Sequence, residues 1–165
     1  MLNLKALAFA ALLVLPTTAV ATAGPAENEL LAKYAGEWRG SGRVTGPDPG
    51  TVVCRITFRA TDSGRLTYSG RCSYSGQGAA SFRGAVVYND ATKRFEASSS
   101  AQGASTTTTG RRQGNSITFA SEGMETRYGT VSSTLTLGGN AIKMAFKLVD
   151  DGETTASAIT LQKRQ

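Results

Sequence analysis

Short runs of alternating apolar and polar residues, broken by turn residues about every ten positions, most constrain how this 165-residue chain can fold. From Gly36 onward no segment carries apolar residues at helical spacing, and Gly, Asn or Asp interrupts each run. Alternation with a period of two is typical of a strand that buries one face. The pattern therefore predicts an all-β sandwich or barrel.

The runs are joined by tight turns, which predicts an antiparallel meander of about ten strands. A meander of that size tends to close on itself, because only closure removes the unpaired strand edges. We therefore expect an all-β, up-and-down antiparallel barrel. The predicted strands span residues 37–45, 51–61, 65–75, 79–88, 94–101, 105–112, 116–122, 126–137, 140–150 and 153–163.

A short helix is expected before the first strand, between Pro25 and Gly36. Acidic residues come early in this segment and Lys33 comes late, so the charges oppose the helix dipole, and Gly36 provides a stop. The side chains expected on its buried side are Leu30, Leu31 and Tyr34.

Residues 1–23 have the pattern of a secretory signal peptide. Lys5 precedes an apolar run, residues 6–15, that is shorter than the ~20 residues needed to span a bilayer. Small residues at Ala21 and Ala23 favour cleavage after Ala23, with cleavage after Ala21 as a second choice. A buried N-terminal helix is the alternative. The pattern predicts a periplasmic or secreted protein with one domain over residues 24–165.

The two cysteines can be placed from turn chemistry. Asp62-Ser63-Gly64 fits a three-residue hairpin loop with glycine in the left-handed position. Counting outward from this loop places Cys54 directly opposite Cys72, as a non-hydrogen-bonded pair with Cα atoms ~4.5 Å apart. In an oxidising compartment we expect a cross-strand disulfide. Two buried free thiols are the alternative.

Two further turns set registers near the C-terminus. Gly138-Gly139 and Asp151-Gly152 both look like two-residue hairpin turns. The first would place Leu135 opposite Ile142, and the second would place Met144 opposite Ile159 and Ile142 opposite Leu161. Apolar residues meet apolar residues in both registers.

These registers put apolar side chains inside the barrel and arginines outside. A lipid-facing barrel would show the reverse, so we expect a chain that does not span a membrane. The outward arginines have two interpretations. They form either a solvated outer face or a contact surface for a polyanionic envelope component, centred on Arg55, Arg59, Arg71 and Arg83. Nucleic acid is not expected, because the aromatic residues lie on the other face. The outward arginines are Arg39, Arg43, Arg55, Arg59, Arg65, Arg71 and Arg83.

The absence of histidine restricts the chemistry. It excludes Ser-His-Asp and Cys-His catalysis and histidine-ligated zinc or haem, and two cysteines are too few for a thiolate metal site. The cluster Gly40-Ser41-Gly42 is not followed by a helix, so it does not indicate dinucleotide binding. We expect no enzyme activity, metal or cofactor. An enzyme using carboxylates alone would have to rely on Glu37, Glu96, Glu122 and Glu125, whose spacing indicates no acid–base pair.

Several inward positions carry small residues, among them Gly70, Ala80, Gly84 and Ala97, which would leave space inside. We therefore expect an interior that binds a small apolar or amphipathic ligand. A narrow, filled barrel is the alternative, in which Trp38 plugs one end. The candidate ligand-binding residues are Trp38, Ile56, Phe58, Tyr68, Tyr74, Phe82, Tyr88, Met144 and Phe146.

Gly36, Trp38 and Gly40 form a G-x-W-x-G motif where the first strand opens after the helix. This arrangement resembles the calycin group, which comprises lipocalins, fatty-acid-binding proteins and nitrobindin-like barrels, and its spacing is most similar to the nitrobindin-like branch. The resemblance implies a closed barrel over residues 26–165, a cavity for a small apolar molecule and a plug role for Trp38. Nitrobindin-like haem binding depends on a histidine, so that role does not carry over.

The chain also has a looser similarity to secreted bacterial inhibitors of metalloproteases, which are small exported barrels with one disulfide. This similarity implies an alternative function as an envelope interaction protein, such as a protease inhibitor or a virulence-associated factor. The working part of those inhibitors is an N-terminal tail, which here would be residues 24–28.

Overall fold

A computed structural model describes residues 24–76, 78–101, 103–126 and 129–165. The predicted signal peptide, residues 1–23, lies outside the described residues. In the described part, one short helix precedes ten strands, as the sequence predicts. The elements are α1 (Pro25–Ala32), β1 (Gly36–Thr45), β2 (Gly50–Ala60), β3 (Leu66–Tyr74), β4 (Gly78–Asn89), β5 (Arg94–Ala101), β6 (Ala104–Gln113), β7 (Ser116–Thr126), β8 (Gly129–Leu137), β9 (Ile142–Asp150) and β10 (Glu153–Lys163).

Each strand pairs antiparallel with the next, and β1 pairs with β10 to close the sheet into a barrel. The closing register runs from Trp38 opposite Lys163 to Thr45 opposite Ala156. Closure satisfies the backbone groups that two edge strands would otherwise expose. The predicted all-β, up-and-down antiparallel barrel is confirmed.

Side chains alternate between the two faces of the barrel wall as predicted. The even-numbered residues 52–58 of β2 are buried, whereas all seven arginines of the predicted outer face are exposed. Among the described residues, no polar or charged residue is fully buried. The interior is therefore built from apolar and aromatic groups, together with partly buried hydroxyl groups at one end. No helix within the described ranges is long and apolar enough to cross a membrane.

Strand β7 ends later and strand β8 begins later than the sequence expectation of 116–122 and 126–137, whereas the start of β7 and the end of β8 are as expected. The turn-like residues Glu122 and Gly123 do not end β7, because a β-bulge between Ser121 and Met124 absorbs them. The Gly123 N–H donates to the Ser132 hydroxyl across the bulge, at 3.2 Å. A bulge accommodates an extra residue without ending the strand, so the glycine is not a breaker here.

The predicted pairing of Leu135 with Ile142 is wrong by two residues. Leu137 lies opposite Ile142, and Leu135 lies opposite Met144. The connection is a four-residue turn closed by a hydrogen bond from the Gly138 N–H to the Ala141 carbonyl, not the expected two-residue turn. A shift of two preserves the face of every side chain, so the apolar residues still point inward. The expected pairing of Ile142 with Leu161 is confirmed.

Helix α1 covers one end of the barrel, which we call the closed end. Its predicted buried residues Leu30 and Leu31 are 2% and 1% exposed, and Tyr34 is 1% exposed. The Tyr34 hydroxyl lies 2.7 Å from the Asn115 carbonyl oxygen and 3.0 Å from the Leu137 carbonyl oxygen, and its single proton is shared between them. These contacts tie the end of the helix segment to the far side of the barrel.

The G-x-W-x-G motif joins the helix to the first strand. The indole N–H of Trp38 donates to the Tyr34 carbonyl at 2.8 Å, and the ring is 1% exposed. A side chain at Gly40 would place its Cβ 1.9 Å from the Thr160 carbonyl oxygen, so the contact with β10 admits no side chain there. Gly36 has φ of 126°, which favours glycine. All three motif residues therefore serve the closed end.

Cys54 and Cys72 lie opposite each other on β2 and β3 and form the predicted disulfide, with Cα atoms 4.1 Å apart. The hairpin loop has the expected form, with Gly64 at φ 74°. The bond links two inward positions that are 0% and 4% exposed.

We predict that replacing both Cys54 and Cys72 with Ala lowers the free energy of unfolding by about 3 kcal/mol. Without the cross-link between residues 18 positions apart, the unfolded chain has more conformational entropy, so folding costs more. Urea unfolding of the oxidised protein and of the variant measures the difference. Equal midpoints under non-reducing conditions would contradict a formed disulfide.

We predict that Tyr34→Phe destabilises the fold by about 1–2 kcal/mol at pH 7, because two carbonyl oxygens lose their donor. Burial raises the pKa of Tyr34, an effect that the positive charge of Arg112 partly offsets. The folded state therefore favours the neutral phenol, and the unfolded state ionises first above about pH 10. The difference in the free energy of unfolding between the wild-type protein and Tyr34→Phe, measured by urea unfolding, should narrow above that pH. A pH-independent difference would contradict the burial of this hydroxyl.

Candidate ligand-binding cavity

The interior opposite the closed end contains a cavity of about 320 Å³. It lies between β2, β3, β4 and β5 on one side and β8, β9 and β10 on the other. We call this half of the barrel the open end. Its volume is at the small end of the ~300–1,000 Å³ range of ligand pockets.

The deep part of the cavity is apolar. Ile56 and Phe58 of β2 are each 3% exposed, and Ile159 of β10 is 6% exposed. Leu135 and Met144, which lie opposite each other on β8 and β9, complete this part of the wall. An apolar molecule can be buried here without leaving polar groups unpaired.

Hydroxyl groups gather nearer the mouth. Ser99, Ser133 and Ser157 line the cavity from three different strands. Phe146, which lies opposite Ser157, is 40% exposed and stands at the rim. The cavity therefore changes from apolar to mixed polar character along its length.

The side chain of Tyr68 reaches from β3 across β4 to β5. Its hydroxyl donates to the Ser98 carbonyl at 3.1 Å and shares a short hydrogen bond with the Ser99 hydroxyl. Burial raises the pKa of Tyr68, and the hydrogen bond to Ser99 offsets part of the rise. Gly84 leaves room for this ring, since a Cβ there would lie 2.4 Å from the Tyr68 oxygen. Tyr68 is fixed in place by these contacts.

Tyr74 differs from Tyr68 in having no hydrogen-bond partner for its hydroxyl among the described residues. It lies in the cavity wall at the end of β3, and burial raises its pKa. A neutral phenol can donate one hydrogen bond and accept others. Tyr74 can therefore offer a polar contact to a bound molecule.

The structure brings most of the predicted ligand-binding residues together. Trp38 and Tyr88 lie instead at the closed end, where Tyr88 packs against Phe95 with ring centroids 5.0 Å apart. Trp38 has the plug position that the sequence analysis gave as its alternative. The predicted residues that line the cavity are Ile56, Phe58, Tyr68, Tyr74, Phe82, Met144 and Phe146.

Sequence reasoning missed the three serines that line the cavity and two apolar wall residues, Leu135 and Ile159. Both apolar residues appeared in the register argument, so the alternation of β8 and β10 carried the signal. Ser99 lies in a Ser-rich run whose inward positions have no distinctive composition. No sequence signal identifies Ser133 or Ser157 as part of a site.

Strands β6 and β7 pair over fewer positions than the other neighbouring strands. The pairs cover four positions, from Gly110 opposite Phe119 to Gln113 opposite Ser116, next to the hairpin that joins the two strands. Within the described ranges, residues 104–109 of β6 have no ladder pairs with residues 120–125 of β7. The wall is therefore held by fewer backbone pairs here than between any other two neighbouring strands.

The carboxylates considered for catalysis are dispersed. Glu96 accepts a hydrogen bond from the Asn89 amide at 2.8 Å, and Glu125 accepts one from the Thr130 hydroxyl at 2.7 Å. Glu37 and Glu122 are exposed. In the part of the chain that the structure describes, no three His, Cys, Asp or Glu residues are grouped as a metal site would require.

The N-terminal segment bears on the inhibitor interpretation. Helix α1 begins at Pro25, so only Gly24 of residues 24–28 precedes it. Glu27 forms an ion pair with Arg112 of β6, at 3.1 Å. This segment is thus part of the closed end and has no free tail within residues 24–28.

No protein-family profile and no curated protein sequence matches the chain. Solved structures share its architecture, and two of them are similar over most of their length. Rv2717c from M. tuberculosis has a TM-score of 0.62 and 13% identity, over 85% of this chain and 98% of its own. The S-type phycobiliprotein lyase CPES from Guillardia theta has a TM-score of 0.56 and 13% identity, over 84% of this chain and 96% of its own. At this identity the likeness shows the fold alone, and that fold fits a calycin-like barrel.

Proposed function

We propose that the protein is an exported, non-catalytic barrel that binds a small amphipathic molecule in its open end. The observation that carries the proposal is the cavity of about 320 Å³, apolar in depth and hydroxyl-lined at its mouth. The apolar part of the ligand would lie between Ile56, Met144 and Ile159. Its polar part would face Tyr74 and the serines.

Two features support access to this cavity. The mouth is not covered by helix α1, which packs on the closed end. The short pairing of β6 with β7 would let these two strands part and give a second, lateral route. A ligand could therefore reach the cavity without unfolding of the closed end.

Export is supported by the signal-like pattern of residues 1–23 together with the disulfide. Disulfides persist in the periplasm and outside the cell and are rare in the cytosol. A ligand taken up in such a compartment would be present in the envelope or the surrounding medium.

Within the calycin group, the motif around Trp38 favours the nitrobindin-like branch. Its three residues build the closed end and do not line the cavity. The absence of histidine removes the haem ligand that the branch uses. We therefore propose a nitrobindin-like scaffold that binds a different, smaller molecule.

We predict that Ser157→Phe, which fills the cavity, weakens binding of the amphipathic dye 8-anilinonaphthalene-1-sulfonate by about tenfold, or about 1.4 kcal/mol. The matched control, Ala158→Phe, places the same ring one residue along β10 on the outer face, and its dissociation constant should change less than about twofold. Fluorescence titration measures both. The proposal fails if the dye does not bind at all, or if the two variants lose the same affinity.

We predict that Tyr74→Phe weakens binding of the same dye by about threefold to tenfold, because one hydrogen bond to its sulfonate is lost. The uncharged probe N-phenyl-1-naphthylamine, which lacks the sulfonate, should bind both proteins equally. Equal losses for the two probes would show that the hydroxyl supports the cavity wall and does not bind the sulfonate.

A further inference from the structure

The outer wall of β1–β4 carries an unusual row of like charges. Arg39 of β1 lies opposite Arg55 of β2, and Arg55 lies opposite Arg71 of β3. Neighbouring strands are ~4.8 Å apart, so three guanidinium groups follow one another across the sheet within ~10 Å. Like charges placed directly opposite each other destabilise a sheet. The row therefore weakens the isolated fold.

Carboxylates do not relieve this repulsion. Within the described residues, none of the seven outward arginines of this wall forms an ion pair. Glu37 and Glu96 lie outward towards the closed end, and Asp48 and Asp62 lie in the loops at the strand ends. The middle of the wall thus carries basic side chains and no acidic ones.

Hydroxyl groups lie between these arginines. A groove of about 570 Å³ runs across the wall, lined by Arg55, Arg71 and Arg83 and by the hydroxyls of Ser69, Ser81 and Ser100. Arg71 donates to the Ser81 hydroxyl at 3.3 Å, and the arginines remain exposed. The groove therefore offers charged donors for anions and neutral hydroxyls for hydrogen bonding.

We propose that this groove binds an anionic polysaccharide. A chain with repeated sulfate or carboxylate groups can meet several guanidiniums at once, and its sugar hydroxyls can pair with the serines. A flat bilayer would contact few of these arginines, because the wall is curved. Single-stranded nucleic acid would find few stacking partners, since Phe82 is the one aromatic residue that lines the groove and the other aromatic residues of these strands point inward. This site is independent of the interior cavity.

The test compares dextran sulfate with neutral dextran of the same length, using isothermal titration calorimetry. The double variant Arg55→Gln/Arg71→Gln should weaken dextran sulfate binding by about tenfold or more. The matched control is Lys143→Gln/Lys147→Gln on β9, which removes the same charge from the far side of the barrel. It should change the dissociation constant less than about threefold. Neutral dextran should not bind.

Three results would overturn the proposal. The first is an equal loss of dextran sulfate affinity in both double variants, which would mean that the net charge of the protein alone attracts the polysaccharide. The second is binding of neutral dextran with the same affinity. The third is tighter, equally arginine-dependent binding of phosphatidylglycerol vesicles or of single-stranded DNA. The melting temperature of the arginine variant should not fall, because removing like charges relieves repulsion, and this excludes unfolding as the cause of lost binding.

Discussion

The pairing of β1 with β10 is the constraint on which the rest of the structure depends. It converts a meander with two exposed edges into a closed wall, and it does so with β1 pressed so closely against β10 that Gly40 can carry no side chain. The same strand carries Trp38, whose indole binds the carbonyl of Tyr34. Closure of the sheet and attachment of the helix are thus made by one short segment.

The two ends of the barrel have different properties as a result. The closed end is filled by the helix and by large apolar side chains, including Phe95 and Leu161, which are 1% and 0% exposed. The open end combines apolar and aromatic side chains with serine hydroxyls around a cavity, and β6 and β7 share few backbone pairs beside it. The helix and the large apolar side chains fill one end, which leaves the other end free to hold a ligand. This division follows the usual separation between a rigid scaffold and a binding region.

The sequence predicts the scaffold well because the scaffold depends on local rules. Alternation sets which residues point inward, and the Asp62-Ser63-Gly64 turn alone places Cys54 opposite Cys72. The prediction failed where two local signals were ambiguous. Gly123 looks like a strand breaker but lies in a bulge, and Gly138-Gly139 looks like a two-residue turn but belongs to a longer one. The hydroxyl-lined mouth could not be predicted, because it is assembled from separate strands with ordinary composition.

The account's central claim is that the barrel is filled at the helix end and hollow at the other. Methyl NMR of the protein during titration with 8-anilinonaphthalene-1-sulfonate tests this claim most directly. The account predicts saturable shifts at Ile56, Met144 and Ile159, and unchanged signals at Leu31 and Leu161. Shifts confined to the helix end, or no saturable shift at any inward methyl group, would contradict it.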